Sequence, residues 1–249
     1  MEQWIQLTPD NLHNEHLCCA IADKKHQAGV EAKRGWLAKR IQEGHVFRKL
    51  DQKGKVFIEY APLETAWVPV IGHNYLYIYC LWVSGSFKGK GYGQQLLDHC
   101  IEDAKSRQKS GICVLSSRKK KPFLTEKKFV QRFGFEVVDR WGDYELLALS
   151  FDGAHPQFSP SMKQPEEAGD GLTIYYGLQC PYVPDCIRQV RGYCDEHGIP
   201  LRLIPVETLE QAKSLPCPFN NWALFVNGRF QSLHLLNEGY LKKLLDQLV

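Results

Sequence analysis

Val83-Ser84-Gly85-Ser86-Phe87-Lys88-Gly89-Lys90-Gly91-Tyr92-Gly93 is the stretch from which the fold is read. Tyr75-Leu76-Tyr77-Ile78-Tyr79-Cys80-Leu81-Trp82 precedes it, nearly all apolar or aromatic, as in a buried central strand. Leu96, Leu97, Cys100, Ile101 and Ala104 follow with polar residues between them, the 3.6-residue period of an amphipathic helix. The stretch is therefore expected to be a glycine-rich turn from a central strand into a helix N-terminus. Backbone N–H groups in such a turn can converge on one anion, and the helix dipole adds partial positive charge. Lys88 and Lys90 add whole charges, so the turn reads as a phosphate cradle.

Two common phosphate loops are excluded. Gly-Lys-Gly-Tyr-Gly lacks the Gly-Lys-Ser/Thr ending of a Walker loop, which argues against hydrolysis of a magnesium-bound nucleotide. A dinucleotide fingerprint needs Gly-x-Gly-x-x-Gly and a ribose-binding acid about 20 residues on, and here the third glycine is misplaced.

The chain has 249 residues, 44% hydrophobic and 24% charged, enough for one large domain or two small ones. No run of 18 apolar residues occurs, and the N-terminus has neither a basic region nor an apolar core, so no membrane span or secretory signal is expected. Nine cysteines, without a double Cys-x-x-Cys arrangement, fit reduced thiols in a cytoplasmic protein and no zinc site. The net charge of +3 divides into +6 for residues 1–150 and −3 for 151–249. A basic first part suits an anionic ligand but falls short of a dedicated nucleic-acid binder.

Working outward, Trp4-Ile5-Gln6-Leu7 reads as a first strand. Helical patterning follows through Leu12, His16, Cys19 and Ala20, and a second, basic helix runs through Trp36, Leu37 and Ile41 to Gly44. Residues 46–50 and 56–60 form two strands around Asp51-Gln52-Lys53-Gly54. After the long helix come a strand at 111–115, a helix from Pro122 to about Arg132, and strands near 135–138 and 144–149. Residues 152–170, rich in Pro, Ser, Gln, Glu and Gly, read as a linker between a domain at 1–151 and a smaller one at 171–249. The second part reads strand, helix, strand, short helix, hairpin around Asn227-Gly228, and closing helix.

The glycine turn resembles the Gln/Arg-x-x-Gly-x-Gly/Ala loop of the GNAT N-acetyltransferase superfamily, with Lys88 at the Gln/Arg position and Gly91 and Gly93 at the small ones. Arg132-Phe133-Gly134-Phe135 resembles the Gly-Phe pair of the same superfamily. His16-Leu17-Cys18-Cys19-Ala20-Ile21, Trp82-Val83-Ser84-Gly85 and Ser116–Leu124 are similar to the YoaP-type acetyltransferases. That resemblance implies an α/β (α+β) GNAT fold with a mixed central sheet, plus a small thioredoxin-like C-terminal domain. It also implies acetyl-CoA as cosubstrate and an amine acceptor. Leu81, Trp82 and Val83 would hold the pantetheine arm, the amides of Lys88, Gly89, Lys90, Gly91, Tyr92 and Gly93 the pyrophosphate, and Ser116 is counted among the cofactor-binding residues.

Acetyl transfer further needs loss of a proton from the amine and a donor for the leaving thiolate. Glu59 is the acidic strand residue nearest the turn and the candidate base. The tyrosine many GNAT enzymes use as acid is absent, because its position is Val130; Tyr79, Tyr144 and Ser116 are the weak substitutes. Cys18, Cys19, Cys100 and Cys113 lie in apolar patterns and read as core. Cys180-Pro181-Tyr182 sits where glutaredoxins carry their active cysteine, yet Cys186 comes three residues too late for Cys-x-x-Cys. Cys180, Tyr182 and Cys217, the last in Pro216-Cys217-Pro218 where such folds carry a cis-proline loop, are expected to line a substrate cleft. Two readings stay open: an N-acetyltransferase, and a thiol redox or binding module whose first domain senses acyl-CoA.

Overall fold

The computed structural model describes residues 3–17, 20, 24–163 and 169–246. Strand β1 (Trp4–Gln6) leads through turns to helix α1 (Gln27–Ile41), then β2 (Val46–Leu50), β3 (Val56–Pro62), the two-residue β4 (Val70–Ile71) and β5 (Tyr75–Val83). The glycine turn opens α2 (Tyr92–Ser106), followed by β6 (Gly111–Ser117), α3 (Lys127–Gln131), β7 (Glu136–Trp141) and β8 (Tyr144–Ser150). The short β9 (Gln157–Phe158) precedes β10 (Leu172–Tyr176), α4 (Val183–His197), β11 (Leu201–Pro205) and α5 (Leu209–Lys213). The chain then runs through β12 (Trp222–Val226), β13 (Arg229–Ser232) and α6 (Glu238–Asp246).

Seven strands form a mixed sheet in the order β1-β2-β3-β5-β6-β8-β7, antiparallel throughout except for the parallel pair β5–β6. Both faces of β5 are covered, which is why its sequence is apolar without alternation. Leu76 and Ile78 pack with Leu96, Leu97 and Cys100 of α2, while Tyr75, Tyr77 and Tyr79 face the other way. A second sheet, β11-β10-β12-β13, has β11 parallel and β12 antiparallel to β10.

The two parts share one core. Tyr77, Leu115 and Leu146 of the large sheet lie in the same apolar cluster as Cys217, Phe219 and Phe225. Residues 157–163, inside the expected linker, are stitched down. Phe158 pairs with Val70, Met162 is buried, and Ser161 Oγ donates to the Leu215 carbonyl at 2.9 Å. Phe158 and Met162 are the apolar residues that a reading of average composition passes over.

Three element expectations change. Residues 9–14 form turns instead of a helix, because Thr8 and Asn11 hydrogen-bond each other's backbone amides through their side chains. The helix expected from Pro122 contracts to Lys127–Gln131, with Phe123 at a φ of 62°, which no α-helix accommodates. No described peptide bond is cis, so the Pro216–Pro218 segment lacks the cis-proline of the resemblance. Cys100 and Cys113 are core as expected, whereas Cys18 and Cys19 lie outside the described residues.

Candidate active site

Pairing between β5 and β6 ends at Ile78↔Val114. Beyond it Leu81, Trp82 and Val83 pair with β3 alone, opposite Ile58, Phe57 and Val56, so alternate amides along this edge face the gap between the two strands. A bulge falls at the same level. Glu59 stands opposite Cys80 and Tyr60 opposite Ile78, leaving Tyr79 as the extra residue. The extra residue reverses the alternation of β5: Tyr75, Tyr77 and Tyr79 share one face, and past the bulge Leu81 and Val83 join the α2 face.

The edge runs into the glycine turn. Gly85–Phe87 is a single 3-10 turn, and Gly89 and Gly91 take φ of 76° and 82°. Gly91 caps α2 in the left-handed region, where a side chain is strained. The first backward bond of α2 is Gln95 N–H to the Gly91 carbonyl at 3.1 Å, so the amides before it point out of the helix end. Lys88 and Lys90 are exposed beside them, Lys90 over the Phe87 ring at 6.0 Å. The Tyr92 ring is buried edge-on to Trp4, and Gly93 packs on Phe129. These two residues therefore offer backbone only.

On the opposite face lies a cavity of about 240 Å³. Its floor is β3 and β5, and its far wall is the C-terminal part through Gln179, Cys180, Pro181, Tyr182, Asn220 and Asn221. Glu59, Tyr79, Leu81 and Trp82 meet Cys180 and Tyr182 here. Phe123 and Leu124 close the roof, and the rings of Phe123 and Trp82 are 44% and 45% exposed. Helix α1 approaches the Pro181 backbone so closely that a Cβ on Gly29 would run into its carbonyl.

Glu59 is not the solvated acid that its strand position suggests. It is 0% exposed and ion-paired with Lys33, itself 1% exposed. Gln179 Nε2 donates to its other oxygen at 3.0 Å, and His45 Nε2 lies 3.4 Å away. Gln179 in turn accepts from Asn221 at 3.2 Å. Burial alone would raise the carboxyl, but Lys33 and then His45 hold it down at about 2. A carboxylate so acidic and so fully engaged is a poor proton acceptor. In place of the base role expected for it, Glu59 is seated as an anchor joining α1, β3 and the C-terminal part, with His45 of the turn before β2 beside it.

Of the three expected acids, Ser116 alone gives its proton to a protein acceptor among the described residues. The Tyr79 hydroxyl accepts from Trp67 N–H at 2.6 Å, and burial raises its pKa. Tyr144 accepts from Leu233 N–H at 3.4 Å, and burial pushes it up to about 12. The Ser116 hydroxyl donates to the Thr125 carbonyl at 2.7 Å and lines a separate basic pocket. Cys217 is buried in the shared core rather than on the cavity wall. Sequence reasoning missed Lys33, Lys55, Gln179, Asn220 and Asn221. The alternation of β3, carried back one residue before its start, signals Lys55 once the strand faces are known; the others come together only in the fold. Among the described residues no group of three or more His, Cys, Asp or Glu could hold a metal ion, and no helix is long and apolar enough to cross a membrane.

A mixed sheet that opens between its parallel strands, with a glycine turn at one end of the gap and a walled cavity on the far face, defines an α/β protein. Residues 10–135 match the acetyltransferase (GNAT) family, and residues 200–243 the YoaP-like family. A protein of Bacillus subtilis (strain 168) named uncharacterized N-acetyltransferase YoaP is 37% identical over 248 residues, covering 98% of this chain and 99% of that one. The crystal structure of PaiA N-acetyltransferase from Thermoplasma acidophilum in complex with coenzyme A is 15% identical, with a TM-score of 0.44, covering 61% of this chain and 99% of that chain. A GNAT family acetyltransferase from Brucella melitensis in complex with acetyl-CoA is also 15% identical, with a TM-score of 0.41 and coverage of 64% and 94%. The chain belongs to the GNAT acetyltransferase family and is an acyltransferase.

Proposed function

We propose that the protein transfers the acetyl group of acetyl-CoA to an amine held in the interdomain cavity, by direct attack in a ternary complex. The observation that carries this reading is the edge of β5 beyond Ile78, which leads from the cavity to the glycine turn. On it the pantetheine amides bond to the backbone at Leu81–Val83, and the pyrophosphate takes the amides of residues 88–93. The thioester is then presented at Leu81, beside the bulge. The amine nitrogen bonds to the acetyl carbon, the C–S bond breaks, and the nitrogen's proton leaves through the cavity mouth as CoA departs as a thiolate. No protein acid is assigned to the thiolate: the Ser116 proton goes to the Thr125 carbonyl, Tyr144 lies off the cavity wall, and Tyr79 lines the cavity with its oxygen accepting from Trp67 N–H.

Residues 171–249 fit a thioredoxin-like domain in element order and in the strand order β11-β10-β12-β13. In this reading the domain binds and presents the acceptor. Burial pushes the Cys186 thiol up to about 11, so Cys186 is not a ready thiolate nucleophile.

Calorimetry with acetyl-CoA tests the cofactor half. Gly91→Val, with φ at 82° and its β-branched side chain at the turn, should weaken binding at least tenfold while the protein stays folded by circular dichroism. Equal affinity in both proteins would remove the pyrophosphate from this turn. Release of free CoA thiol with an amine panel tests the transfer.

A further inference from the structure

The cavity says more about the acceptor than that it is an amine, and this step rests on the transferase reading above. Lys55, just before β3, and Phe57 and Glu59 on it all line the cavity, while Val56, Ile58 and Tyr60 face α2. Two cations and one carboxylate therefore face this space: Lys33, Lys55 and Glu59. Lys33 and Glu59 neutralise each other at the inner end. Among the described residues, the ammonium of half-buried Lys55 takes part in no ion pair or side-chain hydrogen bond. The cavity thus carries one uncompensated positive charge, at its outer end. Between the two ends the walls are mostly carbon, with the Phe57, Trp82, Phe123 and Tyr182 rings among them.

We propose that the acceptor is an amine bearing an anionic group across an apolar or aromatic spacer, and that Lys55 is the residue that selects it. The register gives the spacing. The thioester end of the site lies at Leu81, opposite Ile58, and Lys55 stands three residues before Ile58, at the entry to β3 and next to Ser84. Three strand residues span about 10 Å, and the lysine arm can fold back over part of it, so amine and anion sit roughly 6–10 Å apart. A polyamine is disfavoured because the one carboxylate on the wall is already saturated. An α-amino acid is disfavoured because its carboxylate lies beside its amine.

Three benzylamines matched in size test this on the full chain with acetyl-CoA: 4-(aminomethyl)benzoate, 4-methylbenzylamine and 1,4-bis(aminomethyl)benzene. Phenylalanine serves as the short-spacing control. Initial rates of CoA thiol release give kcat/KM for each. The benzoate should exceed the neutral amine about tenfold, the size expected of one charge-assisted contact, and should exceed the diamine and phenylalanine by more. In Lys55→Met the ratio of benzoate to neutral amine should collapse to about one, and Lys55→Arg should keep it. A wild-type ratio at or below one, or a ratio that Lys55→Met leaves intact, overturns the proposal. So does acetyl-CoA binding in calorimetry with none of the four amines acetylated. Failure to bind acetyl-CoA at all would instead overturn the transferase reading on which the proposal rests.

Discussion

Glu59 is an acid that burial should neutralise and that Lys33 keeps ionised. Its carboxyl, held at about 2, lies below the unfolded value of 4.5, so the stabilisation it brings is complete above about pH 4.5 and fades as the pH falls toward 2. Acid titration of stability should show that loss in the wild type and its absence in a chain lacking the pair. The pair also predicts non-additivity. Glu59→Gln leaves the Lys33 ammonium buried without its partner and should cost about 3–5 kcal/mol in urea denaturation, whereas Lys33→Met with Glu59→Gln should recover most of it. A double variant no more stable than the single one would show that the pair is not coupled. Of these residues the acid was legible, because a carboxylate in an apolar strand is conspicuous. Lys33 was not. It stands next to Arg34 on a helix with many charges, where the natural reading is a solvated face, and only the packing of α1 on β3 reverses that.

Most elements could be read from the sequence wherever one signal dominated. The unbroken apolar run of β5, the amphipathic period of α2, and the Asn227-Gly228 turn between β12 and β13 left little choice. The bulge at Tyr79 could not be read, since it is a matter of pairing between strands and leaves no mark on composition. The packing of α1 was equally hidden, because Gly29 looks like an ordinary helix-weakening residue. In the fold it is the point where α1 touches the backbone of Pro181. Gly29→Ala should therefore lower the thermal midpoint by several degrees, although alanine is the better helix former by about 1 kcal/mol, because overpacking against a carbonyl costs about 1–3 kcal/mol. Differential scanning fluorimetry checks the sign. A raised midpoint would mean that the helix slides away from Pro181 freely.

On the scale of the molecule, composition marks a change of character after residue 151 but gives no sign of the contact between the two parts. Polar bonds cross that contact as well as the shared core. Asn220 Nδ2 donates to the Tyr79 carbonyl at 3.2 Å, and Lys213 Nζ donates to the carbonyls of Leu63 and Val70 at 2.7 and 2.9 Å. A single unfolding transition in urea, followed by both tryptophan fluorescence and far-ultraviolet dichroism, is the expected outcome. Two separated transitions would show that the parts are energetically independent. Lys213 adds a pH signature. Burial brings its ammonium down to about 8, below the unfolded value of 10.5, so the unfolded chain binds more protons between these values and stability should rise across that window. Lys213→Met should flatten the rise. The β4–β9 pairing at Val70↔Phe158 has one more consequence. It pins the chain 14 residues before the start of β10, so the C-terminal part is leashed within about 45 Å of its seat and meets it at an effective concentration in the millimolar range. A polypeptide nicked between Phe158 and Leu172 would forfeit that advantage, and its two pieces would then part on dilution according to their bimolecular affinity alone.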